Sequence, residues 1–381
     1  MEKVKLTDIC DFQGGSQPPK EEWSFDEQEG YIRMLQIRDF TQGERVTPEY
    51  IKISNTTKMC EANDILIARY GASIGKILTG LAGAYNVAIM RTIPDTSRIK
   101  KLYLYYYLKS PYFQNAILNV GSRAAQAGFN KEDLSKLDIE CPELIKQDKI
   151  IAVLEKLECI IEKRKIELSN LDDLIKARFV EMFGDPVSNP YGYDKVALSD
   201  LADIKIGPFG SLLHKEDYID GGHPLLNPSH IVDGKVSPDD KLTISDEKYE
   251  ELSAYQLKTG DVVMGRRGEM GRCAVVPEDG FLCGTGSMLI RTKGEVTADY
   301  IQKIISFPSF KKTIEDMAVG QTMPNLNVPI VSGFQIIKPP MEVQDRYYAF
   351  AEQVNKSKVA VQKALDETQI LFDSLMQKYF G

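Results

Sequence analysis

Residues 102–113 read LYLYYYLKSPYF, and residues 299–310 read DYIQKIISFPSF. Both stretches open segments that pass through the same sequence features in the same order. These segments end on MFG at residues 182–184 and on YFG at residues 379–381. The matching positions, all 197 residues apart, are Pro111 and Pro308, Asn130 and Asn327, Pro142 and Pro339, and Gln147-Asp148 and Gln344-Asp345. The chain is therefore a tandem duplication.

The two copies extend upstream of these stretches. KVKLTDICDFQGGS at residues 3–16 corresponds to KVALSDLADIKIGPFGS at residues 195–211, and NDILIARYGASIGK at residues 63–76 corresponds to GDVVMGRRGEMGRC at residues 260–273. The period exceeds the tens of residues of a solenoid repeat, and each copy is large enough to have its own core. We therefore predict a pseudo-dimer with an approximate two-fold axis, suited to contacting two different targets at a fixed distance.

Composition limits the class of protein. A chain of 381 residues that is 43% hydrophobic has the length of about two ordinary domains. No apolar run reaches the roughly 18–20 residues of a membrane helix, and MEKVKLTDIC has no signal-peptide core, so we expect a cytoplasmic protein. Six cysteines without a CxxC pair are typical of reduced thiols. The net charge of −8 argues against a protein that coats nucleic acid but permits local basic patches.

A seven-residue pattern between residues 143 and 184 predicts a long helix. One seam holds Leu154, Ile161, Leu168 and Ile175, and the second holds Leu157, Arg164, Leu171 and Arg178. The stretch contains no internal proline or glycine, and about 40 helical residues would span ~60 Å. A helix of this length needs a partner that covers its apolar stripe.

The second copy offers that partner in residues 341–381. Its seam holds Val354, Val361, Leu365, Phe372, Leu375 and Tyr379, with Lys358 and Thr368 as polar departures. Because the polar departures fall at different places in the two helices, pairing between them avoids burying like charges. We predict an antiparallel coiled coil that spaces the two globular copies. The alternative is that each helix packs only on its own domain.

Upstream of each helix, short apolar strands alternate with helices, which predicts an α+β fold. In both copies a strand runs into a glycine-rich turn that carries cations, RYGASIGK in the first and RRGEMGRC in the second. Such turns can bring backbone amides and arginines to a phosphate or a base edge, although a solvated hairpin turn is the simpler interpretation. The candidate DNA-binding residues of this region are Arg69, Tyr70, Lys76 and Arg91, then Arg266, Arg267, Arg272 and Arg291.

A second polar loop follows in each copy. It offers arginine, glutamine and asparagine, the side chains that make bidentate contacts to guanine and adenine edges. The candidates here are Arg123, Gln126 and Asn130 in the first copy, and Gln321 and Asn325 in the second. His214 is added as a loop residue able to touch phosphate or a base. The three histidines lack zinc-ligand spacing, so we expect no metal site.

The whole arrangement resembles the specificity subunit of type I restriction–modification enzymes, over essentially the full chain. The copies begin with LTDICDFQGGSQPP and LSDLADIKIGPFGSLLH, and end with GSRAAQAGFNKEDLSKLDIECPELIKQ and GQTMPNLNVPIVSGFQIIKPPMEVQ. The first copy departs from the family pattern at Glu143-Leu144, where a second proline and an apolar residue are usual. The resemblance implies target-recognition domains at residues 1–142 and 195–340, spacer helices at 143–184 and 341–381, and a linker at 185–194.

The resemblance also implies partners. Each recognition domain would read one half of a split double-stranded DNA site. Two methyltransferase subunits would bring S-adenosylmethionine, and two ATP-dependent translocase–nuclease subunits would complete the complex. The chain itself carries no Walker-type phosphate loop, and Asn189-Pro190-Tyr191 is too short a match to an adenine methylation motif. We expect no catalytic residues and no cofactor of its own.

Two functions of different classes remain open from sequence. The first is a non-catalytic, sequence-specific DNA-recognition subunit. The second is a duplicated coiled-coil scaffold that binds protein partners without reading DNA. Cationic loops that recur in both copies favour the first.

Overall fold

The computed structural model describes residues 3–121, 128–318 and 325–381. The chain divides into two compact units. Unit 1 comprises Met1–Leu168 and Ala360–Gly381, and unit 2 comprises Ser169–Val359. The division passes through both long helices, so each unit contains part of each helix. Among the described residues, neither the long helices nor any shorter one has the apolar length that a membrane crossing requires.

Unit 1 is built from small antiparallel and mixed sheets with flanking helices. Its strands are β1 Lys3–Lys5, β2 Cys10–Gly14, β3 Trp23–Ser24, β4 Tyr31–Leu35, β5 Tyr50–Lys52, β6 Met59–Cys60, β7 Leu66–Ala68, β8 Ile77–Leu78, β9 Gly83–Tyr85, β10 Ile89–Pro94 and β11 Asp138–Glu140. Its helices are α1 Ile37–Gln42, α2 Lys101–Lys109, α3 Pro111–Gly121, α4 Lys131–Leu134 and the first part of α5 Leu144–Phe183. The sheets have the orders β2-β10-β7-β8, β3-β5-β4-β9-β6 and β1-β11.

Unit 2 repeats this plan. Its strands are β12 Lys195–Ala197, β13 Ala202–Ile206, β14 Tyr218–Ile219, β15 His223–Leu226, β16 Ile231–Val232, β17 Lys235–Val236, β18 Thr243–Ile244, β19 Val262–Gly265, β20 Cys273–Val275, β21 Leu282–Cys283, β22 Ser287–Thr292 and β23 Gln335–Ile337. Its helices are α6 Leu198–Leu201, α7 Asp246–Glu251, α8 Ala298–Ser306, α9 Pro308–Met317 and α10 Val328–Ser332. Unit 2 also contains residues 169–183 of α5 and residues 341–359 of α11 Met341–Phe380.

Two sheets have the same strand order in both units, and the remaining sheets differ. The order β13-β22-β19-β20 in unit 2 matches β2-β10-β7-β8 in unit 1, and β12-β23 matches β1-β11. The remaining sheet has five strands in unit 1, but unit 2 has the four-stranded order β14-β18-β15-β21 and a separate β16-β17 pair. The predicted α+β duplication is confirmed, with a shared framework and a divergent part.

Helices α5 and α11 pack antiparallel inside each unit through the predicted seam. Of the seam residues, Leu154, Ile161 and Val354 are buried, and Leu168, Ile175, Val361, Leu365 and Phe372 are half-buried. The polar departures find partners across the seam. In unit 1 the Arg164 guanidinium donates to the Ala364 carbonyl and to the Thr368 hydroxyl, and in unit 2 Lys358 pairs with Asp172.

The end of each long helix completes an aromatic core. In unit 2 the Phe183 ring, at the end of α5, lies 5.2 Å from the Tyr300 ring and 5.3 Å from the Tyr347 ring, measured between centroids. In unit 1 the Phe380 ring, at the end of α11, lies 4.9 Å from the Tyr103 ring. Phe183 follows the first copy in sequence but belongs to the core of the second unit, and Phe380 belongs to the core of the first.

A buried glutamine fixes the start of each long helix. The Gln147 side chain is fully buried, accepts from the Lys100 N–H at 2.8 Å, and donates to the carbonyls of Pro142 at 2.7 Å and Arg98 at 2.8 Å. Its counterpart Gln344 accepts from the Thr297 N–H at 3.2 Å and donates to the Pro339 carbonyl at 3.0 Å. The Gln147 side chain thus joins α5 to the start of α2, and the Gln344 side chain joins α11 to the start of α8.

Candidate nucleic-acid interface

The two glycine-rich turns are hairpin connections in the shared sheet. Residues 69–76, here called turn 1, join β7 to β8, and residues 266–272, turn 2, join β19 to β20. Gly71 and Gly75 in turn 1, and Gly268 and Gly271 in turn 2, have positive φ angles between 69° and 81°. Glycine adopts this left-handed conformation without steric cost, which explains the glycines of both turns.

Each turn is joined on one side to the segment that lies between α3 and α4, or between α9 and α10. Tyr70 forms an isolated antiparallel bridge with Gly128, and Arg267 forms one with Asn325. The arginine before each bridge ties the two segments together. The Arg69 Nε–H donates to the Phe129 carbonyl at 3.3 Å, and the Arg266 Nε–H donates to the Asn325 Oδ1 at 3.0 Å. Equivalent positions in the two copies therefore build the same join.

Each turn is held on its other side by α3 or α9. In turn 1 the Gln114 amide donates to the Gly75 carbonyl at 2.9 Å. In turn 2 Lys311 pairs with Glu269 at 3.0 Å, and Arg272 pairs with the same carboxylate at 2.6 Å. Hydrogen bonds from Arg272 and then from Lys311 lower the pKa of Glu269 below its usual value. Two anchors make each turn a preorganised platform and reduce the entropy lost when a ligand binds.

Two candidate arginines lie in structural ion pairs. Arg91 pairs with Asp64 at 2.8 Å, and Arg291 pairs with Asp261 at 2.6 Å. The two carboxylates are almost fully buried, at 5% and 3% side-chain exposure. The hydrogen bond that Arg291 donates to Asp261 raises the pKa of Arg291, and burial acts in the opposite direction. These guanidinium groups therefore neutralise buried carboxylates.

We expect Arg291→Met to lower the free energy of unfolding of unit 2 without changing any sequence preference. The substitution leaves a buried carboxylate whose remaining described hydrogen bond comes from the Lys258 N–H at 2.6 Å. The expected cost is about 2–3 kcal/mol, because loss of one partner strands a buried charge and Arg291 is partly exposed. Hydrogen exchange across unit 2 measures the cost, with the exposed cation variant Lys312→Met as the control. A changed base preference with unchanged stability would refute the structural role.

Some of the other candidate DNA-binding residues are exposed, and others make hydrogen bonds within the protein. Tyr70, Lys76, Arg267 and His214 are exposed, and within the described residues Lys76 and Arg267 have no side-chain partner. The Asn130 side chain caps α4 by accepting from the Asp133 N–H at 3.1 Å. The Arg272 side chain donates to Glu269 and to the Pro228 carbonyl. Arg123, Gln126 and Gln321 lie outside the described residues.

The remaining histidines serve the fold of unit 2. His223 Nδ1 lies 2.9 Å from the Gly280 carbonyl oxygen, with its ring stacked on Tyr249 at 3.8 Å. His230 is buried, with Nδ1 2.7 Å from the Leu225 carbonyl oxygen. Across residues 3–121, 128–318 and 325–381, no group of three or more His, Cys, Asp or Glu side chains is placed to hold a metal ion.

Sequence reasoning missed the residues that anchor the turns. Gln114 and Lys311 lie 197 residues apart, the period of the duplication, and so do Asp64 and Asp261. That spacing could have identified both pairs. Their roles could not be deduced, because Gln114 and Lys311 have different chemistry and hold their turns through different partners.

Comparison with known proteins places the chain among restriction–modification proteins. The family model of the type I restriction modification DNA specificity domain matches residues 1–170 and 190–368. The MjaVIII specificity subunit of a type I restriction enzyme from Methanocaldococcus jannaschii is 20% identical over 363 residues, covering 90% of this chain and 83% of that protein. The MjaIX specificity subunit from the same organism is 22% identical over 413 residues, covering 98% and 91%.

Solved structures share the fold. A chain from a study of complex assembly and conformational transition of the type I R-M system matches with a TM-score of 0.67 at 18% identity, covering 100% of this chain and 97% of that one. The S subunit of a type I restriction-modification system from M. genitalium matches with a TM-score of 0.56 at 14% identity, covering 100% and 96%.

Proposed function

The chain belongs to the type I restriction–modification DNA specificity family, and on that premise we propose that it reads a bipartite DNA site for a multi-subunit enzyme. Each of the two copies recognises one half of the site. Residues 1–142 and 195–340 serve as the recognition domains, residues 143–184 and 341–381 as the spacer helices, and residues 185–194 as the linker. The spacer helices set the unread gap between the half-sites.

The observation that carries this proposal is a duplicated platform with different side chains. Turns 1 and 2 are built on equivalent hairpins and joined to equivalent loops at Tyr70–Gly128 and Arg267–Asn325. One platform exposes a tyrosine where the other exposes an arginine. A scaffold with two identical partners has no need of such divergence, whereas a reader of two different half-sites does.

The proposed complex supplies the chemistry that the chain lacks. Two methyltransferase subunits carrying S-adenosylmethionine, and two ATP-dependent restriction subunits, act at the site that this chain selects. The chain contributes positioning and contributes no catalytic group. Phosphate contacts from exposed cations, with Lys76 and His214 as candidates, fix the register of the protein on the duplex.

Selection from a random DNA pool at several salt concentrations tests the proposal. We expect the bound molecules to share two defined half-sites separated by a constant number of unread base pairs. The logarithm of affinity should fall linearly with the logarithm of salt concentration, by about 0.9 for each phosphate contacted. A coiled-coil scaffold or adaptor would enrich no sequence, and that outcome would reject the DNA-reading function.

A further inference from the structure

We propose that one equivalent position in each copy, Tyr70 in unit 1 and Arg267 in unit 2, carries base specificity, and that Arg69 and Arg266 position it. This inference rests on the proposed DNA-reading function and assigns its residues. Arg267 contacts a guanine in the half-site read by unit 2. Tyr70 contacts a thymine methyl group in the half-site read by unit 1.

The first support is that the position is fixed in the same way in both copies. The residue at 70 or 267 forms the bridge to the next loop, and its neighbour at 69 or 266 reinforces the bridge from the side chain. The far end of each turn is held by Gln114 or by Lys311. A side chain on a platform held at both ends meets a base edge in one geometry, and direct readout depends on that geometry.

The second support is that the preceding arginines are already engaged. The Arg69 guanidinium donates from Nε to the Phe129 carbonyl and from Nη1 to the Val87 carbonyl at 3.4 Å. Arg266 donates from Nε to Asn325, and burial together with the neighbouring Arg267 charge lowers the pKa of Arg266. A guanidinium committed to the protein in this way has fewer donors for a base. Arg69 and Arg266 are therefore positioning residues.

The chemistry of Arg267 indicates guanine. The side chain is exposed, and no hydrogen bond or ion pair engages its guanidinium in the part of the chain that the structure describes. A free guanidinium presents two parallel donors, which match the O6 and N7 acceptors on the major-groove edge of guanine. Turn 2 already neutralises Glu269 through Arg272 and Lys311, so that carboxylate does not compete for Arg267.

The chemistry of Tyr70 indicates a thymine methyl group. Its ring packs on Gly128, where a Cβ atom would lie 2.4 Å from the ring carbons, and the Arg69 guanidinium lies 5.0 Å from the ring centroid. These contacts hold the ring at a fixed tilt with 38% of the residue exposed. An aromatic face held in this way offers an apolar surface, and apolar side chains recognise thymine through its C5-methyl group.

Random-pool selection with the full chain, co-expressed with its methyltransferase partner, tests the inference. Arg267→Ala should relax one guanine position in one half-site, with a loss of roughly 5- to 150-fold for the preferred base. Tyr70→Ala should relax one thymine position in the other half-site, and Tyr70→Phe should leave that preference intact because the ring makes the contact. Lys363→Ala, an exposed cation on α11, is the control for loss of one charge.

A separate variant tests the positioning role of Arg266. Arg266→Lys keeps the charge but removes the Nε–H that binds Asn325. It should relax the same guanine position as Arg267→Ala while leaving the salt slope unchanged. Lower stability with every base preference retained would reduce Arg266 to a structural residue and overturn that part of the inference.

Two other outcomes would overturn the residue assignment but not the proposed function, and a third would overturn both. If Arg267→Ala weakens all sequences alike and lowers the salt slope by about one, Arg267 contacts phosphate. If both alanine variants retain every preference of the wild-type chain, the bases are read elsewhere. If the wild-type chain itself enriches no sequence, the proposed function fails and this inference fails with it.

Discussion

Phe183→Ala is expected to destabilise unit 2 by about 3–5 kcal/mol, the usual cost of removing a large buried aromatic ring. Phe183 is fully buried, and its ring meets the rings of Phe179, Tyr300 and Tyr347. The surrounding rings lie on three different helices, α5, α8 and α11, so we expect them to relax only partially into the cavity. Removal of the ring therefore loses burial and leaves a void.

Hydrogen exchange read by mass spectrometry is the appropriate measurement, because a chain with two units need not unfold in one step. We expect faster exchange across α8 and the first turns of α11, with β2 and β10 of unit 1 protected as before. Phe380→Ala should give the reverse distribution, since Phe380 packs on Tyr103 and Tyr107. Phe209→Ala, at a residue that is 62% exposed, is the matched control. Loss of protection in unit 1 from the Phe183 variant would contradict the assignment of helix ends to cores.

Gln147→Glu is expected to destabilise unit 1 by about 2–4 kcal/mol near neutral pH, because a buried carboxylate replaces an amide that donates two hydrogen bonds. The carbonyls of Pro142 and Arg98 would lose their donor and face a negative charge. Burial raises the pKa of the introduced carboxyl above the ~4.3 of an unfolded chain. The folded variant then binds the proton more tightly than the unfolded one, so its stability falls as pH rises through that raised pKa.

The pH dependence separates this mechanism from a loss of packing. The stability difference from the wild-type chain should shrink as pH falls toward ~4.3, because a protonated carboxyl can again donate one hydrogen bond. Urea denaturation at pH 5 and pH 7.5 measures it when it is followed by the fluorescence of Trp23, the one tryptophan of the sequence, which lies in unit 1. Gln353→Glu, at an exposed position of α11, should show little change at either pH. A cost that is independent of pH would show that the charge plays no part.

The duplicated framework and the paired helices could be predicted from sequence because both follow from spacing. Matched residues 197 apart revealed the copies, and the heptad of Leu154, Ile161 and Leu168 revealed the seam. The polar departures fall at different places in the two helices, which indicated pairing between them, and Arg164 of one helix does donate to Thr368 of the other.

The surroundings of individual arginines could not be predicted. Arg91 and Arg291 looked as available as Arg267, because their partners Asp64 and Asp261 lie about 30 residues earlier in the chain. Arg69 is held by the backbone carbonyls of Val87 and Phe129. These partners could not be identified from sequence, because every residue has a backbone carbonyl. The boundary between the two compact units could not be predicted either. The heptad pattern continues without a break across Leu168 and Ser169, where the two units divide.

Mapping of methylated adenines in DNA tests the central claim most directly. Cells that express the chain together with its methyltransferase partner should carry methylated adenines in one bipartite motif with a constant unread gap, and cells that lack only this chain should not. The account predicts that Arg267→Ala relaxes a single guanine of that motif while the other half-site and the gap persist. Methylation of the same motif in the absence of the chain, or of one continuous motif in its presence, would contradict the account.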